Sequence, residues 1–304
     1  MHHELVAVTS RSFSKNRKLR TQLQQHYSDV RFNEQGIKLT DNALLHFLKD
    51  ADRAIIGLEK IDDTLLGNLP KLKAICKVGT GIDKIDLPAL TRRGVQFCAT
   101  PGLNKRSVSE LVLGLIFVIQ RNLMQVYHNV RQGIWQQPTG SLLSNKIVGI
   151  IGFGAIGQDL AVLLHAFNCK CLVYDVQFAN STMDYAEYTN FEDLLRQADI
   201  VSLHIPLNAD NYHFLSEKEF SIMKKSSIII NTARGGLIDE KALYHALKTK
   251  HIAAAALDVF EDEPEISHQL LALDNFFATS HIGGSTHEAI EAMGMMAIDK
   301  LINL

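Results

Sequence analysis

A chain of 304 residues exceeds the usual size of a single hydrophobic core, so two domains are expected. Its 46% hydrophobic and 21% charged residues describe an ordinary globular protein and exclude a disordered one. A net charge of −2 gives no bulk attraction to nucleic acid or anionic lipid. The basic cluster Arg11, Lys15, Arg17, Lys18 and Arg20 reads as a solvated helix face. No basic-then-apolar leader opens the chain. The longest apolar run, Leu111 to Ile119, contains Gly114 and is too short to span a bilayer. Cys76, Cys98, Cys169 and Cys171 have no zinc-like spacing and read as buried thiols of a reducing compartment. A cytoplasmic protein without a metal is the expectation.

In chain order, Leu5–Val8, Ala54–Gly57, Ala74–Val78 and Val95–Cys98 read as strands. Lys15–His26, Asp41–Lys49 and Leu65–Leu69 read as helical segments between them. This βα alternation predicts a parallel sheet covered on both faces. Ser107 to Asn129 is a long helical pattern, with Ser107 and Glu110 spaced as a capping box. A second βα series follows. Its strands are Ile147–Ile151, Cys171–Asp175, Ile200–His204, Ile228–Thr232, Ala253–Asp258 and Phe276–Thr279. Its helices are Gln158–Phe167, Phe191–Gln197, Ser216–Met223 and Glu240–Leu247. Six strands with crossovers suit a doubly wound dinucleotide domain. The last segment, Ser285 to Leu304, is helical.

Gly152-Phe153-Gly154-Ala155-Ile156-Gly157 follows the apolar strand Ile147–Ile151 and opens a helix. Gly152 permits a tight turn, Gly154 lets a pyrophosphate approach the backbone, and Gly157 lets helix and strand pack closely. The next strand ends at Asp175, where an acceptor for a ribose diol belongs. An acid there repels a 2′-phosphate, and Val176-Gln177 offers no arginine for one. The expected cofactor is NAD rather than NADP.

Three segments follow later strands, at the edge where open α/β sheets bind ligands. They are Asn231-Thr-Ala-Arg234-Gly-Gly236, Asp258-Val-Phe-Glu-Asp-Glu263-Pro264 and Ser280-His281-Ile-Gly-Gly-Ser285-Thr286. A guanidinium can grip a carboxylate and polarise a carbonyl. An imidazolium can protonate a developing alkoxide, and a carboxylate beside it favours the charged ring. Arg234, Glu263 and His281 are therefore the candidate set for reducing a 2-oxo acid.

Together with Lys77-Val-Gly-Thr-Gly-Ile-Asp-Lys-Ile-Asp86, Thr100–Glu110, Val201-Ser-Leu-His-Ile-Pro206 and Ala255–Phe260, these segments resemble the D-2-hydroxyacid dehydrogenase family, in its phosphoglycerate-dehydrogenase-like branch. The resemblance covers roughly residues 50 to 300 in the family's order. It implies that Arg234 binds substrate and stabilises the alkoxide, and that Glu263 supports His281, the general acid/base. The backbone at Val78 and Gly79 would receive the substrate carboxylate beside Lys77, and Asn104 would lie at the domain junction. Asp258, with Thr232 and Ala233, would meet the nicotinamide carboxamide, while Asp175, His204 and Pro206 would complete the cofactor site. The implied fold is a Rossmann NAD-binding domain, 100–283, inserted in a smaller flavodoxin-like substrate domain of 1–99 and 284–304. A homodimer through the nucleotide domains is expected, with the apolar Leu111–Ile119 stretch as its candidate surface.

The first substrate candidate is the pair 3-phosphoglycerate and phosphohydroxypyruvate; the second is glyoxylate or hydroxypyruvate. Two departures weaken the first. After Ile55-Ile56 the chain continues Gly57-Leu58-Glu59-Lys60 where phosphoglycerate-type relatives often carry arginine, and the basic residue before the carboxylate loop is Lys77 rather than arginine. Lys105 and Arg106 are further basic candidates. Formate dehydrogenases on this scaffold typically pair the histidine with glutamine, so Glu263 argues against that activity. A non-catalytic NAD-sensing protein on the same fold is the alternative from another class, but the extra interaction segments such proteins carry are absent here.

Overall fold

Each short apolar run becomes a parallel strand because helices cover it on both sides, which lets nearly every position be apolar. The computed structural model describes residues 2–177 and 185–304. They divide into two units, Met1–Asn104 with Gly284–Leu304, and Lys105–Gly283.

The first unit runs β1 (His2–Val8), α1 (Arg11–Lys15), α2 (Arg17–His26), β2 (Tyr27–Phe32), α3 (Asp41–Leu48), β3 (Arg53–Ile56), α4 (Asp63–Gly67), β4 (Ala74–Lys77), α5 (Leu87–Arg92) and β5 (Gln96–Ala99). Among the described residues its sheet has the order β2-β1-β3-β4-β5, every pairing parallel. This is the flavodoxin-like order. Sequence patterning missed β2 because it is an edge strand whose middle residues are exposed or half-buried. It also missed α5, a short helix that Asp86 caps through the Ala89 amide, with Pro88 in its first turn.

The second unit runs α6 (Lys105–Gln120), α7 (Leu123–Arg131), β6 (Ile147–Ile151), α8 (Ala155–His165), β7 (Lys170–Tyr174), β8 (Ala186–Tyr188), α9 (Phe191–Gln197), β9 (Ile200–Leu203), α10 (Glu217–Ile222), β10 (Ile228–Asn231), α11 (Glu240–Lys248), β11 (Ala254–Leu257), α12 (His268–Leu271) and β12 (Phe276–Ala278). The chain then returns to the first unit as α13 (His287–Asn303). The parallel sheet is ordered β12-β11-β10-β9-β6-β7-β8. Among the described residues it has a seventh strand beyond the six expected, the three-residue β8 on its outer edge. The order reverses between β6 and β9, and in open sheets the ligand crevice lies beyond the carboxyl ends of strands at such a point. All four residues of β9, of β10 and of β11 are buried, so the loops that follow them start from fixed positions.

Three expectations need correction. The helical pattern from Ser107 to Asn129 is two helices, α6 and α7, bent by 62°. Asn122 breaks it by adopting the left-handed conformation (φ 53°), which asparagine tolerates better than most residues. Ser107 does not cap a helix, because α6 starts at Lys105; its hydroxyl instead donates to the Gly283 carbonyl at 2.6 Å. The apolar Leu111–Ile119 stretch is largely absorbed by its own unit, with Val112, Leu115 and Ile116 buried in a cluster with Val148, Ile150 and Leu160.

The cysteines also divide. Cys169 and Cys171 are buried thiols, as expected, and burial pushes the Cys171 thiol up to about 12. Cys76 and Cys98 are joined as a disulfide instead. They are direct partners across β4 and β5 with Cα atoms 4.7 Å apart, inside the range such a bond requires. Strand pairing brings them together, and their spacing in the chain gives no hint of it.

Candidate functional site

β6 runs into the glycine turn. Gly152 has φ 95°, and a side chain there would meet the backbone of His204 at 2.6 Å, so only glycine fits. At Gly157 a Cβ would lie 2.2 Å from the Gly152 carbonyl, which explains why α8 packs so close to the strand. At Gly154 a Cβ would meet nothing within 4 Å. Gly154 caps α8 without a side chain, so the first-turn amides of Ala155 and Ile156 head a helix dipole beside open space. Phe153 is fully buried and donates its amide to the Asp175 carboxylate at 2.6 Å. The other Asp175 oxygen accepts from the Gln177 amide at 2.7 Å. Each oxygen retains a lone pair for a diol.

At the end of β9, burial pushes the His204 ring down to about 4, so it is neutral. Its Nε2 meets the Ser202 hydroxyl at 2.9 Å, whereas its buried Nδ1 has no hydrogen-bond partner among the described residues. Thr232 Oγ1, after β10, is likewise buried and without a partner among them. The Pro206 carbonyl is taken by the Asn211 side chain at 2.7 Å. An open cradle at Gly154, an acid at the end of β7 and two orphaned polar atoms fit a dinucleotide. We expect Asp175→Ala or Asp175→Ser to weaken NADH binding mainly and to narrow discrimination against NADPH, measured by efficiencies with both cofactors. Equal efficiency of the unmodified protein with the two would refute this role.

After β10, fully buried Asn231 shapes the Arg234 turn. Its amide donates to the Arg234 carbonyl at 2.8 Å, and its oxygen accepts the Ala233 amide at 3.0 Å. The Arg234 guanidinium also donates to the Ala233 carbonyl at 2.6 Å. After β11, Glu263 precedes a cis proline and takes the Phe260 amide at 3.2 Å. Both Glu263 oxygens lie within hydrogen-bond distance of His281 Nδ1, at 3.0 and 2.9 Å. Sharing Nδ1–H with a carboxylate leaves Nε2 as the ring nitrogen open to proton exchange. His281 itself adopts φ 56°, an uncommon conformation for histidine.

Asp258 explains that conformation. It is fully buried, and its carboxylate accepts from Thr279 Oγ1 at 2.6 Å and from the Ile282 and Gly283 amides at 2.8 Å each. Its carbonyl accepts the His281 amide at 2.8 Å. Three of about four acceptor positions are thus used within the chain. Asp258 ties down the His281 turn and has one lone pair left for a cofactor. Asn231 and Thr279 both lay within or beside the motif segments, but patterning assigned them no role. A small polar residue after a strand signals a turn without saying which atoms it binds.

The substrate candidates Lys77, Val78, Gly79 and Asn104 belong to the other unit. Lys77 is only 5% exposed, and its ammonium donates to the Gly57 carbonyl. The Val78 amide extends the sheet to the Ile56 carbonyl, and the Gly79 amide donates to Thr100 Oγ1 at 2.9 Å. Both amides expected to receive a carboxylate therefore already have acceptors. Asn104 Oδ1 accepts the Thr80 hydroxyl at 3.1 Å.

Residues 113–283 match the family model described as D-isomer specific 2-hydroxyacid dehydrogenase, NAD binding domain. The chain is 38% identical over 271 residues to a glyoxylate reductase of Thermococcus litoralis, covering 85% of this chain and 82% of that one. It is also 38% identical over 269 residues to a D-3-phosphoglycerate dehydrogenase of Methanocaldococcus jannaschii, 86% of this chain but 51% of the other. Its fold matches a D-lactate dehydrogenase from Aquifex aeolicus complexed with NAD and lactic acid, with TM-score 0.80 and 25% identity over 97% of this chain and 93% of that one. With the nucleotide cradle and a matching model over more than half its length, this chain belongs to the NAD-dependent D-2-hydroxyacid dehydrogenase family.

Proposed function

We propose that the chain reduces a small, unphosphorylated 2-oxo acid, glyoxylate or hydroxypyruvate, with Arg234, Glu263 and His281 as its catalytic residues. The observation that carries the reading is the Glu263–His281 pair, bound through Nδ1 at 2.9 Å. NADH, when bound, supplies the hydride. Arg234 holds the substrate carboxylate and stabilises the developing alkoxide. His281 gives that oxygen a proton from Nε2, while Glu263 fixes the ring orientation through Nδ1. Oxidation of NADH by a panel of 2-oxo acids, followed by absorbance, tests the activity and separates it from a non-catalytic NAD sensor.

The state of Lys77 and Glu59 supports an unphosphorylated substrate. The Lys77 ammonium is buried against Gly57 O, and the Glu59 carboxylate accepts the Gly57 amide at 2.5 Å, so an acid occupies the end of β3. A phosphate dianion generally needs about two charge-assisted partners to offset its desolvation. Arg106, another basic candidate, already pairs with Asp159 at 2.9 Å. The similarity to a phosphoglycerate dehydrogenase favours a second reading, 3-phosphoglycerate oxidation for serine biosynthesis. The expected result is an efficiency for phosphohydroxypyruvate less than about tenfold above that for hydroxypyruvate, a difference of about 1.4 kcal/mol. A larger advantage for the phosphorylated acid would replace the first reading with the second.

We also propose a homodimer formed through the second unit. No single helix among the described residues is long and apolar enough to cross a membrane. The support for a dimer has moved from α6 to α7, which buries none of its residues and exposes Leu123, Met124, Tyr127 and Val130. Trp135, just beyond, is 81% exposed. Contiguous apolar surface of this kind usually marks an interface. Light scattering at micromolar concentration should give twice the chain mass, and a monomer there would refute the dimer.

A further inference from the structure

Arg234 and Glu263 sit on different loops, and the two loops touch at one place. A Cβ on Gly235 would lie 1.9 Å from the Phe260 carbonyl carbon and 2.4 Å from the Glu261 nitrogen. The residue after Arg234 is therefore stacked on the peptide that leads to Glu263. Contact alone does not hold an exposed loop in place. Glu261, two residues before Glu263, supplies the attachment. Its carboxylate accepts the Tyr212 hydroxyl at 3.0 Å and meets His213 Nε2 at 2.9 Å. Its backbone amide donates to the Glu240 carboxylate at 2.9 Å, and the Glu240 amide returns to Glu261 at 3.5 Å.

Tyr212 and His213 come from the loop after β9, which is itself joined to the Arg234 loop. The His213 amide donates to the Gly236 carbonyl at 2.7 Å, and Leu215 bridges to Ile238. The Tyr212 ring stacks on the His213 ring at 4.0 Å and would lie 3.0 Å from a Cβ on Gly236. The charged and titratable groups around His213 are the carboxylates of Glu261 and, at 3.7 Å, Asp239, together with the Tyr212 hydroxyl. Glu240 and Asp262 belong to the same patch. Glu261 raises the Tyr212 phenol above its ordinary range by accepting its proton, and burial raises the Glu240 carboxyl. The patch is rich in acid, and His213 is the group within it that can carry a positive charge.

We infer that Tyr212, His213 and Glu261 form a latch across the loops after β9, β10 and β11, and that they are positioning residues for the dehydrogenase reaction. They hold Glu263 against His281 and keep Arg234 in register with that pair. This rests on the reading of Glu263 and His281 as supporting carboxylate and acid/base. Charge-assisted hydrogen bonds are the shorter and stronger kind, suited to fixing a loop that packing leaves exposed. Displacing a catalytic group by about 1 Å can cost about a hundredfold in rate.

The test is steady-state kinetics of the whole chain for Glu261→Ala, Glu261→Gln, Tyr212→Phe, His213→Gln and His281→Ala, from acid to alkaline pH. NADH affinity is measured separately by fluorescence. Glu261→Ala should lower kcat by roughly tenfold to a hundredfold and leave NADH affinity within about twofold. Glu261→Gln, which keeps one acceptor oxygen and loses the other, should recover part of the rate, and His213→Gln, which keeps a donor, should lose less than Glu261→Ala. If Glu261→Ala does not fold, Tyr212→Phe carries the test, with a smaller fall in kcat. A kcat within about twofold of the parent in Glu261→Ala and Tyr212→Phe, or a loss in Glu261→Ala that Glu261→Gln shares in full, overturns the latch. Full turnover in His281→Ala would overturn the acid/base reading instead, so the two failures are distinct.

Discussion

Replacing His281 by Ala is expected to lower turnover by roughly two to four orders of magnitude, the worth of a positioned general acid. The expectation rests on its Nδ1 contact with both Glu263 oxygens, at 3.0 and 2.9 Å, which commits one ring nitrogen and leaves the other for substrate. Glu263→Gln separates charge from geometry. The amide oxygen can still accept from Nδ1–H, so the ring keeps its orientation, but the negative charge is gone. In the proposed mechanism the ring gives a proton to the ketone oxygen, so kcat should fall in Glu263→Gln, though by less than in His281→Ala. A kcat equal to that of the parent would make Glu263 a merely structural partner. NADH affinity should stay within about twofold in both variants, since neither side chain belongs to the Gly152–Gly157 cradle.

Arg234→Ala should cost about a hundredfold to a thousandfold in kcat, or about 2.7–4 kcal/mol, the usual loss when a donor to a developing oxyanion is removed. It should also raise KM for the 2-oxo acid, because in the proposed mechanism the same guanidinium grips the carboxylate in the ground state. Arg234→Lys keeps the charge but loses the planar fork, and should recover only part of the loss. The backbone supports of the turn do not depend on the guanidinium: the Asn231 side chain holds the Arg234 carbonyl and the Ala233 amide. The substitution should therefore leave the fold intact, which a thermal melt checks. A KM and kcat both within about threefold of the parent would remove Arg234 from the catalytic set.

The alternation of apolar runs and amphipathic segments determined the two α/β units without any tertiary information. A strand buried on both faces must be apolar along its length, and all four residues of β9, of β10 and of β11 obey that rule. The nucleotide cradle was equally legible, because Gly152 and Gly157 stand where no Cβ fits, and such positions accept few residues. Edge strands β2 and β8 escaped notice for the converse reason: one side meets solvent, so their composition is free to be polar. The break between α6 and α7 lay in a single left-handed asparagine, a conformation that the apolar pattern around it does not encode.

Only the tertiary structure decided which polar atoms satisfy one another. From sequence, Lys77 is a cation before a substrate loop; in the fold its ammonium is spent on Gly57 O. Asp258 reads as a cofactor contact, and in the fold it holds the turn of His281. Cys76 and Cys98 become a bonded pair because β4 and β5 lie side by side. Tyr212, His213 and Glu261 come from two separate loops and meet beside the Arg234 loop, where Gly235 lies against Glu261 and Gly236 against the Tyr212 ring. Strand and helix periodicity follows from which face is buried, and a chain carries that information locally. Partnership among buried or clustered polar groups depends on distances between segments far apart in the chain. No local pattern contains those distances, so the sequence could name candidate residues while the fold alone assigned their partners.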